Sequence, residues 1–250
     1  MVILDCENYN STITSICNIY DIDKNDVVNF LRSIDINSKN PDKPDQYIRN
    51  SFDKNFGQPI KKIDSVMWFH LTRTVENSDF SEGILPLDIA LEKIWEMLLP
   101  LVNTFEQREN LTELRVQGVP NKHFKLKVNE SMHQGPYGLL ILDVGFRSEE
   151  VGNHDYLGIP EIIEDICDGY NVKFNESIKE IIINKLKKCV VKFEANTETK
   201  ETNHRFLTPA LSYCWCIINE DELGLDESTC FDSEGEIIPK NQIIEIKFIS

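Results

Sequence analysis

The chain has 250 residues, 41% of them apolar and 27% charged, which is enough to bury a substantial core and far from a disordered composition. Its 26 basic and 42 acidic side chains leave a net charge of −16, which repels nucleic acid over long range and disfavours general DNA or RNA binding. No run approaches the roughly 20 apolar residues of a membrane helix, and residues 1–5 lack the basic and apolar stretches of a signal peptide.

The seven cysteines show no metal-ligand spacing, since Cys214-Trp215-Cys216 is too tight for a CxxC knuckle. They read as reduced cytosolic thiols that pack as small apolar groups, so a cytoplasmic protein is expected. The charge is uneven. Residues 1–62 carry 8 basic and 9 acidic side chains, and residues 63–250 carry 18 and 33. The near-neutral first part is therefore the candidate contact for a protein partner that the acidic body would not attract.

In chain order, residues 11–20 place Ile13, Ile16, Cys17 and Tyr20 at helical spacing. Asp23 is positioned to cap a second helix carrying Val27, Val28, Phe30, Leu31 and Ile34. Residues 37–45 read as a loop, and a third helix over 44–56 is stopped by Gly57 and Pro59. Three short helices are marginal alone, so residues 1–62 are expected as a small helical appendage.

The stretch Ser65-Val66-Met67-Trp68-Phe69-His70-Leu71-Thr72-Arg73 reads as a buried strand ending in polar side chains, followed by a tight turn over 80–87. A long helix is expected over 87–105, kinked or divided at Pro100. Residues 124–128 alternate strictly and predict a half-exposed strand; residues 137–144 predict a buried one. Helices are expected from 159, with Pro160 in the first turn, and over 176–188. A strand over 189–194, a polar loop over 196–204, a short strand or turn leading into a helix over 206–218, and a closing strand over 243–249 complete the pattern. Without regular βαβ alternation this is an α+β chain. It predicts a bent or split antiparallel-rich sheet with flanking helices in a body over 63–250.

There is no GxGxxG, Walker A loop, GxSxG elbow or HExxH. His123 and His133 have no partner at ligand spacing, so no metal site is expected from them. Residues 152–156, with His154, read as a turn between elements, and Glu161, Glu164 and Asp165 suit a helix start electrostatically. Asp143, Asp155 and Glu161 fall near element ends and leave open a metal-dependent hydrolase or nuclease.

Three short segments carry a resemblance. Glu227 stands four residues before Phe231, and an alternating strand follows; His70-Leu71-Thr72 lies on an early strand; Arg205-Phe206-Leu207-Thr208-Pro209-Ala210-Leu211-Ser212-Tyr213 lies between them. In that order the segments resemble the His–aromatic–Glu pattern of ADP-ribosyltransferases of the diphtheria-toxin and poly-ADP-ribose polymerase type. That pattern has the aromatic three residues after the Glu rather than four. The resemblance implies NAD as substrate and an oxocarbenium-like transition state, in transfer to an acceptor that the sequence does not identify or in hydrolysis, with a toxin or defence role. It implies Glu227 stabilising the ribosyl cation, His70 and Thr72 on the ribose, Phe206 or Tyr213 stacked on nicotinamide, and Arg73 on the pyrophosphate. It also implies a large insertion over 103–204. The reading from another class is a non-enzymatic interaction or regulatory module whose acidic body binds a basic partner.

Overall fold

A computed structural model describes residues 1–39, 41–129, 135–196 and 200–249. His133 and residues 197–199 of the expected polar loop lie outside the described residues. In chain order, β1 (Ile3–Leu4) leads to α1 (Tyr9–Tyr20), α2 (Lys24–Ser33), the short α3 (Ile36–Lys39) and α4 (Pro44–Phe56). β2 (Ser65–Thr74) precedes α5 (Leu87–Leu98), α6 (Phe105–Gln117) and α7 (Lys122–Asn129). β3 (Tyr137–Leu139), α8 (Leu142–Phe146), α9 (Ser148–Val151), α10 (Glu161–Phe174) and α11 (Lys179–Lys185) follow. The chain then runs through β4 (Lys187–Asn196), α12 (Lys200–Asn219), β5 (Cys230–Asp232) and β6 (Ile243–Ile249).

The strands form one open sheet in the order β5-β3-β2-β4-β6. β1 joins β2 in parallel, with Ile3 beside Ser65 and Leu4 beside Val66, and β3 runs antiparallel to β2 with Phe69 opposite Leu139. Helices flank the sheet. The fold is α+β, as the irregular order of periodicities predicts.

Contacts divide the chain into two units, and not at residue 62. The first holds residues 1–69, 138–153 and 192–231; the second holds residues 70–137, 154–191 and 232–250. Residues 1–62 belong to the first unit together with α12, and residues 103–204 are shared between the two units.

In the first unit α12 packs against α1, α2 and α4. Helices too short to persist alone are held by this shared apolar face, built from Ile13, Ile16, Leu31, Ile48, Phe52, Leu211 and Cys214, all buried. Local signals set the boundaries: Asn8 accepts from the amides of Asn10 and Ser11, Asp23 accepts from Asn25, and Gly57 ends α4. The short strand or turn expected to lead into the helix over 206–218 is itself helical, and α12 runs through Pro209. Burial of Phe206, Leu207, Ala210 and Leu211 outweighs the lost amide donor. On the sheet side Trp68 meets Phe206 edge-on at 5.3 Å and Phe231 at 5.4 Å. Gly138 leaves room for this cluster, because a Cβ there would stand 2.9 Å from the Phe193 ring.

The second unit has a helical core that includes Trp95, Leu98, Leu111, Leu114, Ile166, Tyr170 and Ile182. The helix expected over 87–105 is divided next to Pro100, as expected: α5 ends at Leu98, since Pro100 has no amide to continue the ladder. A new helix, α6, starts at a capping box in which Thr104 and Gln107 exchange side-chain and backbone hydrogen bonds. The expected strand over 124–128 is the helix α7. Asn121 Oδ1 accepts from the amides of His123 and Phe124 and starts it, and Leu126 is left 43% exposed. The strand expected over 137–144 stops at Leu139, and residues 142–146 are helical. The turn over 80–87 is as expected: Gly83, at φ +88°, lies so close to the Ile238 carbonyl that a Cβ would stand 2.2 Å from it.

Candidate functional site

The structure places the three N-terminal candidates, His70, Thr72 and Arg73, in the second unit and the three C-terminal ones, Phe206, Tyr213 and Glu227, in the first. His70 is half-buried on β2. Its Nδ1 lies 2.8 Å from the Tyr137 carbonyl oxygen, so that nitrogen carries the proton and Nε2 remains an acceptor. Burial pulls the imidazole below its ordinary range and so favours a neutral ring, against the opposing pull of the Tyr137 carbonyl. Thr72 is half-buried two residues on.

Arg73 has a different setting. Its Nε donates to the Leu157 carbonyl at 2.6 Å, and Nη1 donates to the carbonyls of Ile183 at 2.9 Å and Leu186 at 3.2 Å. The planar fork ties the loop before α10 to the end of α11. Three strong backbone acceptors already occupy the group that the resemblance assigns to pyrophosphate.

In the first unit Glu227 is 3% exposed. It ends a 3₁₀ turn over Leu225–Glu227, and its Oε2 accepts from the Gly224 amide at 2.7 Å. Burial raises its carboxyl above the usual carboxylate range, although the Ser212 hydroxyl and the Gly224 amide pull the other way. Tyr213 is fully buried, and its hydroxyl donates to Asp143 Oδ2 at 2.5 Å. Burial raises the phenol well above its ordinary range, and the hydrogen bond to Asp143 adds to the effect. Phe206 is buried against Trp68. Neither ring presents a free face as it stands.

The carboxylates of the metal reading are likewise engaged. Asp143 holds Tyr213, Asp155 accepts from the Gly158 amide at 2.8 Å, and Glu161 accepts from the Tyr156 hydroxyl at 3.1 Å and pairs with Lys127 at 2.9 Å. Among the described residues no group of three or more His, Cys, Asp or Glu side chains is placed to hold a metal ion.

Two features lay outside the sequence reading. In the second unit Lys127 bridges Glu161 and Asp165, at 2.9 and 2.8 Å, and Lys179 pairs with Glu164 at 2.6 Å. Burial weakens Lys127, but its two carboxylate partners outweigh that and raise its pKa; Glu161 is held low by Lys127 despite its own burial. Reading residues 124–128 as a strand concealed this, because only a helix sets Lys127 toward α10. In the first unit a cleft of about 450 Å³ is lined by residues including Arg32, Asp35, Trp215, Glu220 and Asp221. The ends of α2 and α12 meet there, where Trp215 Nε1 donates to the Ile34 carbonyl at 3.2 Å.

Comparison of the chain with family models, with curated proteins and with solved structures finds no match.

Proposed function

We propose that this chain is a binding module whose acidic exterior takes up a basic segment of a partner protein. One observation carries the reading: the end of α12 runs into exposed Glu220, Asp221, Glu222 and Asp226, beside a cleft that also presents Asp35. The carbonyl ends of α2 and α12 add negative potential at the same place. Partial burial, and then the charge of Asp45, raise Asp226 above the usual carboxylate range, so Asp226 carries its charge at a cost. A lysine or arginine side chain would offset that cost and be steered in by the charge of the whole chain.

The test is calorimetric titration with a lysine- and arginine-rich peptide. Binding is expected at about 0.05 M salt and should weaken several-fold at about 0.5 M, where the Debye length falls below about 5 Å. The double variant Asp221→Lys with Glu222→Lys should lose most of it. Absence of binding at low salt, or equal binding by the double variant, rejects the module.

NAD-dependent ADP-ribosyl transfer, or NAD hydrolysis, is the second reading. It is favoured by His70, whose fixed tautomer leaves Nε2 as an acceptor for a ribose hydroxyl. Its test is nicotinamide release from NAD with cell extract as the source of acceptor, alongside the NAD dependence of the thermal midpoint. Release above background that disappears in His70→Ala supports it; no release and no thermal shift reject it.

A further inference from the structure

We infer that β6 is a self-pairing edge: two copies of the chain join antiparallel through residues 243–249. β6 ends the strand order next to β4, and among the described residues no strand pairs with its outer side. It is a seven-residue strand, Ile243-Ile244-Glu245-Ile246-Lys247-Phe248-Ile249. Ile244 is 53% and Phe248 38% exposed, while Ile243, Ile246 and Ile249 are half-buried. A long apolar edge with unpaired backbone groups is a template for another strand, and monomeric proteins normally blunt such edges with charge, proline or a bulge. Here the strand has no proline, and its two charges are of opposite sign.

The order of residues selects the occupant. A two-fold axis normal to the sheet, passing midway between the two copies of Ile246, sets Glu245 opposite Lys247 of the second copy and Lys247 opposite its Glu245. The same register sets Ile244 opposite Phe248, Ile243 opposite Ile249, and Ile246 opposite itself. Opposite charges face each other twice and apolar residues meet apolar residues, the pairings that stabilise a ladder. Moving the axis by one residue is unfavourable in either direction, because centring on Glu245 sets two glutamates face to face and centring on Lys247 sets two lysines. The sequence about Ile246 is therefore complementary to itself in one register, the isologous contact a two-fold dimer needs. Among the described residues neither Glu245 nor Lys247 has an ion-pair partner within one chain, so both charges are available to the second copy.

The experiment is sedimentation velocity on the full chain from ~1 to ~300 µM, a range suited to a small, reversible interface. Wild type should shift from monomer to dimer across this range. Lys247→Glu alone and Glu245→Lys alone each place like charges opposite one another twice and should raise the dissociation constant ~10-fold or more. The double exchange Glu245→Lys with Lys247→Glu restores opposite pairs in the same register and should recover the dimer. These positions are exposed, so unchanged thermal midpoints and circular dichroism will show that each variant folds. A wild type monomeric throughout, including one whose edge takes up strands of other proteins, overturns the inference. So does a dimer unaffected by either single exchange, or one that the double exchange fails to restore.

Discussion

The Tyr213 hydroxyl donates to Asp143 Oδ2 across 2.5 Å, joining the middle of α12 to the first turn of α8 inside the first unit. The bond satisfies a phenol whose ring is fully buried, and it gives a half-buried carboxylate its donor. Tyr213→Phe removes that donor and keeps the ring. The expected loss is about 1–3 kcal/mol, the scale for stranding one partner of a charge-assisted hydrogen bond. Urea unfolding of the variant checks it. A stability equal to wild type would mean that Asp143 finds another donor at no net loss.

Glu227 gives a prediction with a pH signature. Its carboxyl is raised by burial, so between the unfolded value of about 4.5 and the folded value the native state holds the proton more tightly than the unfolded chain. Stability from this group is present below about 4.5 and is lost as pH rises through the folded value. Glu227→Gln removes that loss, and its side-chain carbonyl can still accept from the Gly224 amide. The variant should therefore gain in thermal midpoint relative to wild type as pH goes from 4 to 7. In the NAD reading the same variant would lower nicotinamide release about 10²-fold, so one protein separates a capping role from a catalytic one.

The opposite slope is expected from His70. Burial lowers its folded pKa below the ordinary 6.5, so the unfolded chain binds the proton first as pH falls. The contribution from the neutral ring is complete above 6.5 and is lost as pH drops through the folded value. A glutamine at this position can donate to the Tyr137 carbonyl without titrating. The gap in stability between wild type and His70→Gln should therefore change between pH 7 and 5 in favour of the variant. A gap that does not vary with pH would remove the imidazole from the pH dependence.

Arg73 supports three backbone carbonyls with one side chain. A lysine has three donors on a single nitrogen and cannot reproduce the separated Nε and Nη1 directions. Arg73→Lys should destabilise by about 2 kcal/mol or more, since at least one half-buried carbonyl loses its donor. The midpoint of urea unfolding, with the slope unchanged, is the measurement.

Gly138→Ala tests the aromatic cluster. The added methyl would meet the Phe193 ring at 2.9 Å and the Trp68 Cβ at 3.2 Å. Overpacking should destabilise by about 1–3 kcal/mol. Tryptophan fluorescence should change with it, because Trp68 must yield along with Phe193.

Much of the fold was legible in the sequence because it rests on short-range chemistry. The side chain of Asp23, the glycine at 57 and the apolar spacing of Ile13 and Ile16 act within one or two helical turns, and they mark α1, α2 and α4; the Asn8 cap, outside that reading, starts α1 two residues before the expected 11. The unbroken β-branched and aromatic run before His70 marks β2, and alternation marks β6. The errors share a cause. Residues 124–128 alternate, but Phe124 and Val128 also lie one helical turn apart, so the pattern fits both periods. Only the Asn121 cap and packing against α5 and α10 select the helix. The strand or turn expected at the start of 206–218 is helical because burial of Phe206, Leu207 and Ala210 holds α12 together through Pro209. Thr104-Phe105-Glu106-Gln107 was a readable capping box, and α6 follows it. The chemistry of the candidate residues was the least legible part. Sequence specifies that position 73 is an arginine, 213 a tyrosine and 227 a glutamate. The partners of these groups, namely the Leu157 carbonyl 84 residues away, Asp143 70 residues away and, for Glu227, the Ser212 hydroxyl on α12, exist only once distant segments pack. A polar group's role follows from what desolvates and hydrogen-bonds it, and for these residues tertiary structure alone decides that.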